Sequence, residues 1–259
     1  MNLSAEPKQQ LTALLAVKEA SGLAKLATRL RAEGAEFLSA MEFFSDIGLD
    51  IAIENIPGLV FPLQSRAPFY VLVEAGSGSM QVPLDSILTE VMAWGIDERI
   101  VVGGALAMSE AQRAAFWPLR EEQPEGQRRL GAQLKHDLSV PPCQLVDFLD
   151  RANNECSKIL DGVRINAFGH PGDGNVHFNL SPPLGRRDFL GLDSEFASRL
   201  GRLATDMGGS FAAEHGIGRT KLELADLLRH PVERNLMACL KKALDDNNQL
   251  NPSILVSIK

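Results

Sequence analysis

The stretch Arg164-Ile-Asn-Ala-Phe-Gly-His-Pro-Gly-Asp-Gly-Asn-Val-His-Phe-Asn-Leu180 decides how this chain reads. His170 and His177 flank a Pro-Gly-Asp-Gly turn, and the residues on either side have strand character. Asp173-Gly174 is a hairpin signal, because a two-residue turn needs positive φ, which Asp tolerates and Gly adopts freely. A turn centred there sets His170 opposite His177 and Phe168 opposite Asn179. Opposed residues have Cβ atoms about 4.5–5.5 Å apart. Alternation along the strands puts Phe168, His170, His177 and Asn179 on one face. Two imidazoles held in this way form a candidate metal pair with an amide beside them. The plainer alternative is two polar histidines with no ligand.

Outward from the hairpin, the chain alternates helices and strands. Residues 5–33 carry leucines near helical spacing and read as one or two helices, and residues 1–33 as an attached linker arm. Residues 34–259 form the main domain. Glu36–Phe44 reads as a strand in which Glu42 is out of place among apolar neighbours. It is either an outward charge on an edge strand or a paired polar group in a site. Ser45–Asn55 is a short helix capped by Ser45 or Asp46. Phe69–Ala75 and Glu98–Val102 are strands, with Gly103-Gly104 a turn. Leu84–Trp94 and Ser109–Trp117 are helices. Gly131–Ser139 is strand-like, and residues 142–160 are a helix opened by proline. Beyond the hairpin, residues 188–207 are helical. Ser210–Lys221 reads as a strand entering a glycine-rich turn, two further helices follow, and the tail is a turn with a short strand. The hairpins and short links favour an α+β domain, a mostly antiparallel sheet with helices packed on one face.

A second chemical cluster is Glu214-His215, set before Gly216-Ile-Gly218. Glu214 is a candidate third ligand. Two histidines and a carboxylate suit zinc or another divalent ion with positions left open. His215 is then a candidate base toward a metal-bound hydroxyl. The alternative is that both residues only shape the loop. Arg120 and Lys135 are candidate carboxylate binders, Arg by its bidentate fork and Lys as a point charge.

The net charge of −7 and the lack of a basic run give no sign of nucleic-acid binding. The three cysteines are widely spaced, which suits reduced thiols in the cytoplasm. The N-terminus lacks signal-peptide character, and no apolar run is long enough for a transmembrane segment. The absence of phosphate-loop, zinc-protease and serine-hydrolase motifs argues against those chemistries.

Several motifs in one order resemble the FAD-linked oxidase C-terminal domain. They are Gly169–Asn179, Glu214–Gly218, Leu134–Pro141, Asn251-Pro252, Leu38–Glu42 and Trp117–Glu121. This is the substrate domain of flavin-dependent D-2-hydroxyacid dehydrogenases, including D-lactate and D-2-hydroxyglutarate dehydrogenases and the glycolate oxidase flavin subunit. The resemblance runs from about Leu38 onward. It implies a ferredoxin-like antiparallel sheet, with a divalent metal, zinc by family habit, on His170, His177 and Glu214. It further implies His215 as the base for the substrate hydroxyl, Arg120 and Lys135 on substrate carboxylate, and Asn179 at the hydroxyl. Hydride passes from C2 to FAD, and a separate acceptor reoxidises the flavin.

Nothing in the chain resembles the FAD-binding domain, so a flavin domain or subunit is expected as a partner. The chain then reads as a truncation or one part of a split enzyme. Asn251 marks the expected flavin contact, although Asn251-Pro-Ser-Ile-Leu stands where relatives have Asn-Pro-Gly-Lys. Two other readings compete: an orphan domain binding metal and carboxylate without turnover, and a metal-dependent hydrolase.

Overall fold

The computed structural model describes residues 6–252 and 254–256. Its sheet is built around a strand where the leucine spacing predicts a helix. In Gln9–Val17 (β1), residues Ala13 to Val17 are at most 1% exposed. A short run buried on both sides carries no polar face, and its leucines match helical and extended spacing equally well. Its partners decide the matter. β1 pairs along its whole length with Phe69–Ser77 (β3), and on its other edge with Val101–Leu106 (β4). Residues 9–34 are therefore not helical throughout. Residues 9–17 are an inner strand, and the helix is Ala20–Gly34 (α1). Gly103 and Gly104 likewise lie within β4, opposite Ala16 and Leu15, and make no turn.

Leu38–Ser45 (β2), Asp46–Asn55 (α2) and Leu84–Asp97 (α3) follow the expected pattern, with the Ser45 hydroxyl capping α2 at the Gly48 N–H. Then come Glu110–Phe116 (α4), Pro118–Glu121 (α5), Gln123–Leu130 (α6), Asp137–Ser139 (β5) and Leu145–Ile159 (α7). The chain continues through Arg164–His170 (β6), Asn175–Ser181 (β7), Asp193–Asp206 (α8), Leu222–Leu228 (α9) and Pro231–Leu244 (α10). The strands form one antiparallel sheet in the order β4-β1-β3-β2-β6-β7-β5. Its first four strands, with α1 and α3, have the β-α-β-β-α-β order of a ferredoxin-like unit.

One face of the sheet packs Leu15, Phe43, Val73, Ala167 and Phe178 against α1, α3, α7 and α8. This is the larger helical layer. Helices are not confined to it: α2, α4 and α5 cover Leu14, Phe44, Tyr70 and Leu72 on the opposite face. Beyond that smaller core, the same face turns polar across β2, β6, β7 and β5.

The hairpin register also differs from the expected one. Phe168 lies opposite His177, Asn166 opposite Asn179, and His170 opposite Asn175. The connection is the four residues Pro171 to Gly174, closed by a hydrogen bond from the Asp173 N–H to the His170 carbonyl at 3.1 Å. The pairing slips by two residues, which keeps the phase of the pleat, so the four residues still share a face. The expected strand over Ser210–Lys221 reduces to a bridge between Ser139 and Ser210, after which the chain is loop. Residues 254–256 run as a bend, and the rest of the expected terminal strand lies outside the described residues. Among the described residues, no helix is long and apolar enough to cross a membrane.

Two predictions follow from this geometry. Gly174 has φ +71°, and a Cβ there would lie 1.9 Å from the Val140 carbonyl oxygen. Gly174→Ala is expected to lower the unfolding free energy by about 3 kcal/mol in urea titration. The second concerns His136, whose Nδ1 lies 3.0 Å from the Phe178 carbonyl. Burial pushes the His136 imidazole from 6.5 down to about 4. The unfolded chain therefore takes up this proton first. His136 contributes its stability fully above its unfolded value, and loses it as pH falls through the window toward about 4. The wild type is expected to lose about 3 kcal/mol more than His136→Gln across that window, read from unfolding at each pH.

Candidate active site and metal centre

The site is two adjacent rows of side chains across four strands. Pairing places Phe44, Phe168, His177 and Asp137 in one row, from β2 through β6 and β7 to β5. In the next row Glu42 of β2 meets His170 of β6, with the His170 Nδ1 3.1 Å from a Glu42 carboxylate oxygen. β2 is an inner strand, so Glu42 is the paired polar group of the two alternatives. It is 8% exposed and accepts a hydrogen bond from Arg120 Nε at 2.9 Å. Burial alone would raise the Glu42 carboxyl; the hydrogen bond from His170 and the charge of Arg120 outweigh it and hold the carboxyl below its usual range. The same bond to Glu42 raises the His170 imidazole.

The loop after Ser210 brings Glu214 and His215 onto these rows. It has no ladder to direct it there. The buried Asp137 carboxylate does so, one oxygen accepting the backbone N–H groups of Glu214 at 2.9 Å and His215 at 2.8 Å. Lys221 Nζ stands 3.8 Å from that oxygen. Burial works against ionised Asp137, but the two N–H groups and Lys221 prevail and its pKa is lowered.

So placed, the Glu214 carboxylate faces both hairpin histidines. One oxygen is 3.4 Å from His170 Nε2 and the other 3.6 Å from His177 Nε2. His177 lies under His215, ring centroids 5.4 Å apart, and beside Phe168 at 5.0 Å. Burial, followed by the charge of Arg120, lowers the His177 imidazole and keeps it neutral, the form that binds metals. Asp137, His177, Glu214 and His215 also offer ligand atoms all within 4.8 Å of one another. His177 and Glu214 belong to either donor set. The other oxygen of Asp137, 4.0 Å from His177 Nδ1, is buried without a hydrogen-bond partner, an acceptor left for a cation or a proton.

A cavity of about 330 Å³ opens beside this cluster, lined by Arg120, Lys135, Asp137, His177, Asn179 and His215 among others. Arg120 lies over the Phe168 ring, 4.3 Å from guanidinium carbon to centroid. The Asn179 amide donates to Gln127 Oε1 at 3.0 Å, and Gln127 in turn donates to the Ser181 hydroxyl. Of the residues singled out in the sequence, Arg120, Lys135, Asn179, His170, His177, Glu214 and His215 converge here. Asn251 does not. It is exposed beyond α10 with φ +48°, and no hydrogen bond among the described residues ties it to the cluster. Asp137, Gln127 and Lys221 escaped the sequence reading. A signal for Asp137 existed: it is an acid in a strand, two residues after Lys135.

A family model for FAD linked oxidases, C-terminal domain, matches residues 6–254. The mitochondrial D-2-hydroxyglutarate dehydrogenase of Arabidopsis thaliana is 30% identical over 240 residues, covering 93% of this chain and 42% of its own length. A D-2-hydroxyglutarate–pyruvate transhydrogenase of Saccharomyces cerevisiae is 29% identical over 259 residues, covering 96% and 51%. The chain thus spans between two fifths and about half of these relatives. Among solved structures, p-cresol methylhydroxylase with substrate bound superposes with a TM-score of 0.61 at 12% identity, over 96% of this chain and 54% of that one. A 4-ethylphenol oxidase from Gulosibacter chungangensis gives 0.60 at 16%, over 97% and 54%. These two likenesses speak for the fold alone. With the family model matching almost end to end, the chain belongs to the C-terminal domain family of FAD-linked oxidases.

Proposed function

We propose that this domain binds a D-2-hydroxyacid and withdraws the proton of its hydroxyl, while the C2 hydride passes to a flavin held by a partner domain or subunit, giving a 2-oxo acid. The observation that carries the reading is the Glu214 carboxylate facing His170 and His177, with His215 stacked on His177 at the wall of a cavity that also holds Arg120 and Lys135. The relatives named as D-2-hydroxyglutarate dehydrogenases support the substrate class.

The donor set fits a divalent ion, with zinc our choice. It offers two neutral-capable imidazoles and one carboxylate, and Glu42 holds the far nitrogen of His170, as metal-binding histidines require. When bound, such an ion supplies a positive charge that makes a hydroxyl more acidic. The cavity of about 330 Å³ suits a small acid. We assign FAD to a flavin-binding domain or subunit, with Asn251 as the residue of this chain that would contact it, and a separate acceptor to reoxidise it. The free cysteines suit a reducing compartment, and the cytoplasm is our reading.

The chain's own residues divide the work. Arg120, braced by Glu42 and Phe168, grips a substrate carboxylate, and Lys135 adds a second cation at the cavity wall. Gln127 fixes the Asn179 amide by accepting its N–H, which leaves the amide oxygen to accept from the substrate hydroxyl. His215 takes the hydroxyl proton. The Asp137 carboxylate, 3.7 Å from His215 Nδ1, balances the charge that His215 gains.

The test combines this chain with a flavin-binding half and follows anaerobic loss of oxidised-flavin absorbance. D-2-hydroxyglutarate is expected to bleach the flavin and its L-enantiomer is not. His215→Asn is expected to slow bleaching by about 10³-fold. Bleaching at the wild-type rate in His215→Asn overturns its role as base, and hydrolysis of a substrate without flavin overturns the whole reading.

A further inference from the structure

We infer that Glu74 is a positioning residue, fixing through Trp117 the helical turn that presents Arg120 to the acid. The inference rests on the reading that Arg120 binds the substrate carboxylate.

Glu74 sits on β3, in the middle of the sheet, on the same face as the site and 8% exposed. Its carboxylate gathers four neutral donors from three directions. One oxygen accepts from Gln10 at 2.6 Å and Ser39 at 3.0 Å. The other accepts from the Thr12 hydroxyl at 3.2 Å and the Trp117 indole N–H at 3.1 Å. Gln10 is held in turn by Arg113 of α4. The acid therefore ties β1, β2 and the α4–α5 junction together.

An apolar residue here would have packed the junction as Leu72 and Tyr70 do on the same strand face. A buried carboxylate is costlier, and is tolerated only when its hydrogen bonds are met. What it adds is direction. Apolar contacts allow a helix to slide and turn, whereas the indole N–H reaches its acceptor from a narrow range of angles. Trp117 passes that direction on. Its carbonyl accepts the N–H of Arg120 at 2.9 Å and of Glu121 at 3.0 Å, opening the turn of α5. Leu119 is buried beneath that turn. Arg120 then reaches Glu42 and Phe168. Two acids on one sheet face thus define one guanidinium: Glu42 holds its Nε and Glu74 the base of the turn that carries it. Nothing places Glu74 in contact with the cavity, so it acts through Trp117.

The test is the binding of D-2-hydroxyglutarate to the full chain by titration calorimetry, which needs no flavin. Arg120→Ala is expected to abolish binding. Glu74→Gln and Trp117→Phe, the latter removing the indole N–H and keeping an aromatic ring, are each expected to weaken it about tenfold. The double variant is expected to be no weaker than either single one, because both remove the same link. Thermal melting shows that each variant is folded at the temperature of titration, and if Glu74→Gln fails to fold, Trp117→Phe decides. If the wild type binds no acid, or Arg120→Ala binds as well as the wild type, the acid-binding reading falls and this inference with it. If Arg120→Ala loses binding while folded Trp117→Phe binds like the wild type, the reading stands and the positioning role is overturned. Single losses that multiply in the double variant also overturn it.

Discussion

The site depends on one carboxylate. Asp137 is 3% exposed, and one of its oxygens takes the backbone N–H groups of two successive residues, Glu214 and His215. Hydrogen bonds to a charged group are each worth about 1.5–3 kcal/mol, roughly twice a neutral one. They replace the strand ladder that this loop lacks. Without them the segment after Ser210 keeps its bridge to Ser139, a hydrogen bond from the Ala213 N–H to the Asp137 carbonyl at 3.3 Å and the buried Phe211 and Ile217, but no bond to the backbone of Glu214 or His215 themselves. Asp137 stands opposite His177 on the neighbouring strand, so the loop is aimed by the same sheet that carries the histidines. The precision of the cluster is thus inherited from strand register.

Around that anchor, neighbouring charges and burial set the protonation of each group. Glu42 is ionised because His170 and Arg120 both lie against it, and its partnership raises His170. Burial and the neighbouring Arg120 push His177 the opposite way. The two histidines on one hairpin face are therefore shifted in opposite directions, His170 up by its bond to Glu42 and His177 down by burial. Arg120 connects the pair to the cavity, bonded to Glu42 at Nε and stacked over Phe168.

Much of this arrangement was legible in the residues themselves. Histidines at strand positions around a Pro-Gly-Asp-Gly turn share a face under either register, because the slip was by two residues. The exact pairing was not legible: turn length depends on whether Pro171 joins the strand or the connection, and local sequence allows both. β1 was missed because a strand buried on both sides and an amphipathic helix carry similar leucine patterns, and only pairing with β3 and β4 separates them. Glu42 stood out as a charge in an apolar run, but its partner Arg120 is distant in sequence. Asp137 showed only as an acid in a strand and Glu74 not at all, for the same reason. Their bonds reach backbone N–H groups and side chains that the fold alone brings near.

The most direct measurement is the metal content of the chain after equilibrium dialysis against zinc, taken on the wild type, Glu214→Gln and His215→Asn. The account predicts one tightly held ion per wild-type chain, its loss in Glu214→Gln with the far-ultraviolet circular dichroism unchanged, and its retention in His215→Asn. A wild-type chain that holds no ion, or an ion undisturbed by Glu214→Gln, would contradict the account.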